Sequence, residues 1–298
     1  KSGYLSYVYY LIGNPSTAIA NYMQLPIIAV PILGSRYGYT ETTAAMAKAT
    51  QMYFKGGYDD NTTMANPLTG KSMADRSIMG DKSKLSQEHK ELFEAGLEQS
   101  AFTRTTAQEL LEVRRKGLSD PTSMSLRVQT WLSRMFTNVE RHNREVTLLA
   151  AYELARKGSG TRKKLEHAEA IEEAIKTVEE IHSSSKAELG PALAQTGFGK
   201  IALTFKRVIM SMLYLQYKLS KQMLTGATRE EKYEALKGLA GTNVMCWTFA
   251  GLKGVPVFGA VSIAASLAKS LIDKIDDDYD DEPLDPYKYV LTNWGRMA

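Results

Sequence analysis

Between Ser125 and Gly158 apolar side chains return every three or four positions, at Val128, Leu132, Met135, Phe136, Val139, Val146, Leu149, Ala150 and Leu154. That spacing predicts a helix of about 30 residues with one apolar face. Gly158 and Gly160 stand where it should stop, since glycine tolerates the left-handed conformation that ends helices. The same period resumes at Leu165, Ala168, Ile171, Ile175, Val178 and Ile181, opposite a densely charged face. Two such amphipathic helices in succession must bury their stripes on something. No segment shows a convincing alternation of period two. The expected class is therefore all-α, a multi-helix domain with long amphipathic helices and two short apolar helical hairpins.

The remaining segments extend that reading. Ser2 to Ser35 carries no charge and is interrupted at Asn14–Pro15, Pro26 and Pro31, which predicts a Tyr-rich helix, a turn and a segment kinked by proline. Residues 40–54 are Ala-rich and helical in composition, with Thr40 as the expected N-cap. The stretch from Lys55 to Lys84 is full of Gly, Asn, Asp and Ser and reads as loop. A polar helix is expected from about Ser86, with Leu92, Ala95 and Phe93 on one side. Thr228 and Glu231 stand at capping-box spacing ahead of a further helix. The expected organisation is an apolar N-terminal segment (1–60), a loop or linker (61–85) and a main helical domain (86–298), which includes an apolar hairpin at 238–272 and an acidic tail.

The chain's 298 residues suffice for a sizeable core. Its single cysteine, Cys246, lies in an apolar stretch and reads as a small buried hydrophobe, so no disulfide framework is expected. The first residue is Lys1 rather than Met, which suggests a piece of something longer. Charge is unevenly distributed: from Ala101 to Lys164 there are 13 basic and 6 acidic residues, whereas Asp273 to Asp285 holds eight acids and one lysine.

Chemistry is hard to find. "TGKS" at Thr69–Ser72 resembles the end of a phosphate-binding loop, but Ala65 stands where that motif needs glycine. His89, His142, His167 and His182 fall in no zinc-binding pattern. The acidic tail lacks the glycine and terminal glutamate of a calcium loop. Glu140, Arg141, His142, Arg144 and Glu145 crowd one helical stretch, and read as a salt-bridged interhelical layer or, second, as an acid–base site. The basic residues from Arg104 to Lys164 could attract nucleic acid phosphates without sequence specificity. They are interleaved with glutamates, and a solvated face is the simpler reading. No catalytic residue, cofactor or metal site is expected.

Two apolar regions pose the sharper question. Between Lys237 and Lys269 the only charge is Lys253, and "GLKGVP" divides this stretch into halves of about 15 residues, roughly 22 Å as helix against a hydrocarbon thickness of about 30 Å. Its glycines and alanines suit close helix packing. Residues 2–35 pose the same problem. Trp247, Phe249, Val255, Val257 and Phe258, with Ile27, Ile28 and Ile32, are the expected membrane or subunit contacts.

Four blocks, in order, carry a resemblance: "NPSTAIANYMQLPIIAVPILGSRYG" (Asn14–Gly38), "FTNVERHNREVTLLAAYELA" (Phe136–Ala155), "GKIALTFKRVIMSMLYLQYKL" (Gly199–Leu219), and "GLKGVPVFGAV" with "DDEPLDPYKYVLTNW" (Gly251–Trp294). Together they resemble the C-terminal region of very large tailed-bacteriophage internal virion, or ejection, proteins and the related injected polyvalent proteins. The resemblance implies a chain packaged in the virion interior near the portal, expelled with the DNA and then located in the host periplasm and inner membrane. There it would help form a passage for the genome, partnered by copies of itself, other internal virion or portal proteins, the inner membrane and phage DNA. Alternatives are a purely structural virion core scaffold and an injected factor acting on host nucleic acid. Any enzymatic module would lie elsewhere in the full-length protein.

Overall fold

The computed structural model describes residues 19, 21–65, 72–99, 124–160, 162–182 and 212–254. This part is all-α in class. A π-helical turn (Leu25–Ala29) runs into α1 (Val30–Tyr37), followed by α2 (Tyr39–Lys55), strands β1 (Tyr58–Ala65) and β2 (Ser72–Arg76), and a 3-10 segment (Ile78–Lys84). Then come α3 (Gln87–Glu98), α4 (Met124–Lys157), α5 (His167–His182), α6 (212–225) and α7 (Arg229–Gly254).

Pro26 and Pro31 lie at the starts of the π-helical turn and of α1, while the expected Tyr-rich helix and the Asn14–Pro15 break lie outside the described residues. Pro31 has no N–H to give the preceding turn, and the Val30 N–H bonds Leu25 O, five residues back, in the wider π register. α1 stops at Gly38, whose φ of 95° no β-carbon residue adopts readily. That glycine, not Thr40, is the N-cap of α2, and Thr40 falls inside the first turn. The helix expected from Ser86 begins at Gln87, with the Ser86 hydroxyl accepting the His89 N–H at 3.2 Å. The Thr228–Glu231 box forms as well: the Glu231 N–H donates to Thr228 Oγ1 at 3.1 Å, while the Glu231 carboxylate reaches back to the Ala227 N–H at 2.9 Å.

The segment expected to be wholly loop contains the one sheet among the described residues. β1 and β2 pair antiparallel, Tyr58 opposite Arg76 and Ala65 opposite Ser72, with an irregularity between Asp59 and Met64. Ser72 therefore opens a strand and not a phosphate-binding helix. The hairpin is held by its base: Arg76 donates to Phe54 O at 2.6 Å, and Tyr53 Oη donates to Arg76 O at 3.2 Å. Nor does the segment separate two cores, because Ile78 and Leu85 are buried in the same cluster as α1, α2, α4 and α5.

α4 is the axis of the fold. Val146, Leu148, Leu149, Ala150, Ala151 and Ala155 are essentially inaccessible, so its second half is surrounded rather than merely backed. α2 packs on one side of it and α5 on another. On α5 the buried face runs through Ala170, Ala174, Ile175, Val178 and Ile181, and Ala168, expected to be inside, is exposed. The turn between α4 and α5 is built on Gly158 (φ 65°) and Gly160 (φ 61°). A β-carbon on Gly160 would also stand 2.6 Å from Arg36 O. Gly160→Ala should therefore cost at least about 2 kcal/mol of stability, read as a lower urea midpoint. Gly238→Ala meets only ordinary contacts, from 3.4 Å outward, and should be neutral or gain up to about 1 kcal/mol.

α6 and α7 form an antiparallel helical hairpin turning at Gly226–Thr228, cross-linked where Gln216 Nε2 donates to Asn243 Oδ1 at 3.0 Å. α7 lies on α1, with a β-carbon at Gly241 only 3.2 Å from Pro31 Cβ and one at Gly238 3.7 Å from Ile32 Cδ1. The described parts of the two apolar regions thus pack on each other.

Candidate functional site

The polar stretch of α4 is enclosed. Glu145 is completely buried, and three donors converge on its carboxylate: Arg141 Nε at 2.7 Å and Ser77 Oγ at 2.8 Å on Oε1, and the Ile78 N–H at 2.8 Å on Oε2. Burial pushes this carboxyl above its ordinary value, while Arg141 and the other donors pull it back. Ser77 in turn accepts the Met79 N–H at 3.1 Å and so starts the 3-10 segment. The Glu140–Glu145 group is therefore tied across helices through Ser77 and Ile78, and its own ion pair, Arg141–Glu145, lies along α4.

His142, 3% exposed, stacks on Tyr22 with centroids 4.9 Å apart and meets Tyr53 edge-on at 4.5 Å. Its Nδ1 faces Asn143 Oδ1 at 3.3 Å, and Asn143 Nδ2 donates to Asn21 O at 2.7 Å. Burial lowers the imidazole pKa, so the ring stays neutral. Glu140 and Arg144 are buried and engaged too. A general acid or base has to reach a substrate proton, and both Glu145 and His142 are buried.

A second polar network joins residues far apart in sequence. Tyr152 Oη lies 3.0 Å from Glu88 Oε2 and 2.8 Å from His167 Nδ1, and His167 Nε2 lies 2.9 Å from Glu91 Oε2. Beside it, His89 Nε2 lies 2.9 Å from Glu153 Oε1, which Lys48 also approaches at 3.3 Å. The network fastens α3 to α4 and α5. The contacts that α3 makes in it join residues 64 to 76 apart, which no local motif records. Among the described residues no group of three His, Cys, Asp or Glu is placed to hold a metal.

A third set bolts the hairpin to the core. Glu180 accepts Arg36 Nη2 at 2.6 Å and Lys218 Nζ at 2.8 Å, and Glu234 takes both Arg162 Nε and Nη2, at 3.1 and 2.8 Å. Burial works to raise the Glu180 carboxyl, and the two cations overcome it and hold it at about 2.

The expected contact residues separate into three groups. Ile28 and Ile32 are core residues, 6% and 1% exposed, and Ile27 packs partly buried against the same cluster. Their assignment to a membrane or subunit surface is corrected: they were apolar because they meet the fold's own helices, Ile32 against α7. Trp247 faces outward at 61% exposure, and Phe249 is 51% exposed. Val255, Val257 and Phe258, with the rest of the hairpin after Gly254, lie outside the described residues, as do the acidic tail and the part of the basic run before Met124. Of the rest of that run, Arg144 is buried, and Arg141, Arg156 and Arg162 pair with glutamates.

α7 is consequently apolar on two opposite faces. Ala235, Gly238, Thr242 and Cys246 turn inward, while Tyr233, Leu236, Ala240, Val244 and Trp247 turn outward. At 100° per residue the outward five lie within an arc of about 80°. Phe249, though exposed, lies on the inner side in angle. Among the described residues no helix is long and apolar enough to cross a membrane. Compared with protein-family models, curated proteins and solved structures, the chain matches none.

Proposed function

We propose that this chain is a non-catalytic, structural segment of a tailed-bacteriophage internal virion protein, packaged near the portal and ejected with the DNA, which works by assembling through the outer face of α7. Partners under this reading are copies of itself and other internal virion or portal proteins, lining a passage for the genome across the host envelope. The phage context rests on the resemblance of the four sequence blocks, and the mode of action on the surface.

One observation carries the mode of action. A helix that is apolar on both faces is ordinarily buried on both, yet Trp247 and Val244 are 61% and 56% exposed. The outward stripe is also narrow. A membrane-surface helix needs a wide apolar face opposite a basic one, whereas the opposite face of α7 is already seated on α1. A narrow stripe at three-and-four spacing is the seam of a helix–helix contact.

The test is sedimentation of the 298-residue chain, alone and with anionic vesicles, beside Trp247→Asp. The variant should keep its free energy of unfolding within about 0.5 kcal/mol, because the side chain is exposed, and should lose association. Association unchanged in a folded variant would contradict the proposal, and binding to vesicles alone would replace the protein partner with lipid.

A further inference from the structure

The outward stripe of α7 has a symmetry of its own. Its positions, 233, 236, 240, 244 and 247, are spaced three, four, four and three, which reads the same from either end about Ala240. Size follows the same order: large aromatics at the ends, Tyr233 and Trp247; branched aliphatics next, Leu236 and Val244; and the smallest side chain at the centre. We infer that α7 pairs with α7 of a second copy, antiparallel, across a two-fold axis at Ala240. This rests on the assembly reading and names its partner and register.

A two-fold interface is self-complementary: residue i meets residue j, and j meets i. Antiparallel pairing about Ala240 sets Tyr233 against Trp247 of the second copy, Leu236 against its Val244, and Ala240 against Ala240. Crossing helices come closest at one point and diverge on either side. A stripe with alanine at the waist and aromatics at the ends fits that shape, since the small residue admits the close approach and the large ones fill the widening gap. Charge selects the direction. In a parallel pair Lys232 of one copy would lie beside Lys237 of the other, five residues on and on the opposite flank of the stripe, and the like charges would repel. In the antiparallel pair Lys232 is level with Thr248, and Lys237 with Asn243. Lys237 also lies over its own Tyr233 ring, 4.4 Å from the centroid, which keeps that ring in place on the outward face.

Cysteine pairing tests the register in the full chain, with Cys246→Ala removing the one native thiol. Ala240→Cys alone should oxidise to a disulfide-linked dimer of twice the 33.1 kDa chain mass. Val244→Cys alone should not, but should cross-link to Leu236→Cys when the two variants are mixed. Ala240→Arg, at an exposed position that spares folding, sets like charges together on the axis and should raise the dimer dissociation constant at least about a hundredfold. If Ala240→Cys fails to cross-link while Trp247→Asp still abolishes an association, the antiparallel pair is wrong and the surface reading stands. If the chain neither cross-links nor associates at all, both are wrong.

Discussion

Replacing Glu145 by alanine is expected to lower the free energy of unfolding by about 3–5 kcal/mol, the usual cost of removing one partner from a buried charge pair. The reason is what remains behind. The Arg141 side chain, 12% exposed, would keep its charge without the carboxylate beside it, and the Ser77 hydroxyl and Ile78 N–H would lose their acceptor. Glutamine keeps an acceptor oxygen but not the charge, so Glu145→Gln should fall between, at about 1–3 kcal/mol. Glu166→Ala is the control: that side chain is 86% exposed in its contact with Arg156 and should shift stability by no more than about 0.5 kcal/mol. Urea titration at neutral pH ranks the three. Equal midpoints for Glu145→Ala and Glu166→Ala would mean that α4 does not bind the 3-10 segment in this way.

Acid should destabilise the fold well above the carboxylate range. His182 is 5% exposed, with Nε2 at 3.0 Å from Thr147 Oγ1, and burial followed by the nearby Arg144 charge depresses its pKa from 6.5 to about 3. The neutral ring is thus the folded form. Between those two values the unfolded chain binds a proton that the folded one refuses, so stability is complete above pH 6.5 and declines as pH falls. By pH 4.5 the loss from this group is on the order of 2–3 kcal/mol. His142, depressed by burial, adds to it in the same direction. Glu180 contributes later, since its stabilisation is lost only as pH falls from 4.5 toward about 2. Urea midpoints at pH 7 and pH 4.5, for the native chain and His182→Gln, isolate the histidine: the variant should show the smaller drop.

Both predictions concern residues that sequence alone marked only in part. The run Glu140–Glu145 was visible as a crowd of charges, but its partners Ser77 and Ile78 lie 68 and 67 residues away in a segment that read as loop. That segment misled because its strand residues, "YDDNTTMA", are polar and do not alternate. The hydrogen bonds that hold its base come from Tyr53 and Arg76 rather than from an apolar face. Where a local rule was decisive the reading held: the period of α4, the glycines that end it, and the Thr228 cap. It failed at Thr40, because Gly38 fixes the start of α2 through its backbone conformation.

The apolar regions show the same limit. Composition recorded that Ile28, Ile32 and α7 avoid water but not what they meet. The partner of Ile32 is Gly238 and its neighbours, about two hundred residues further along the chain. Only the fold divides α7 into an inner face that completes the core and an outer face that does not.

That division is the central claim, and adjacent positions on α7 test it. Cys246 is 2% exposed and its thiol is pushed up to about 11 by burial, whereas Val244, two residues earlier, is 56% exposed. Labelling the native chain with a maleimide at low protein concentration, beside a Val244→Cys, Cys246→Ala chain, should show an unreactive native thiol and a fast-reacting introduced one. Equal rates at the two positions would mean that α7 is not seated on α1 by this face, and the assembly surface would fall with it.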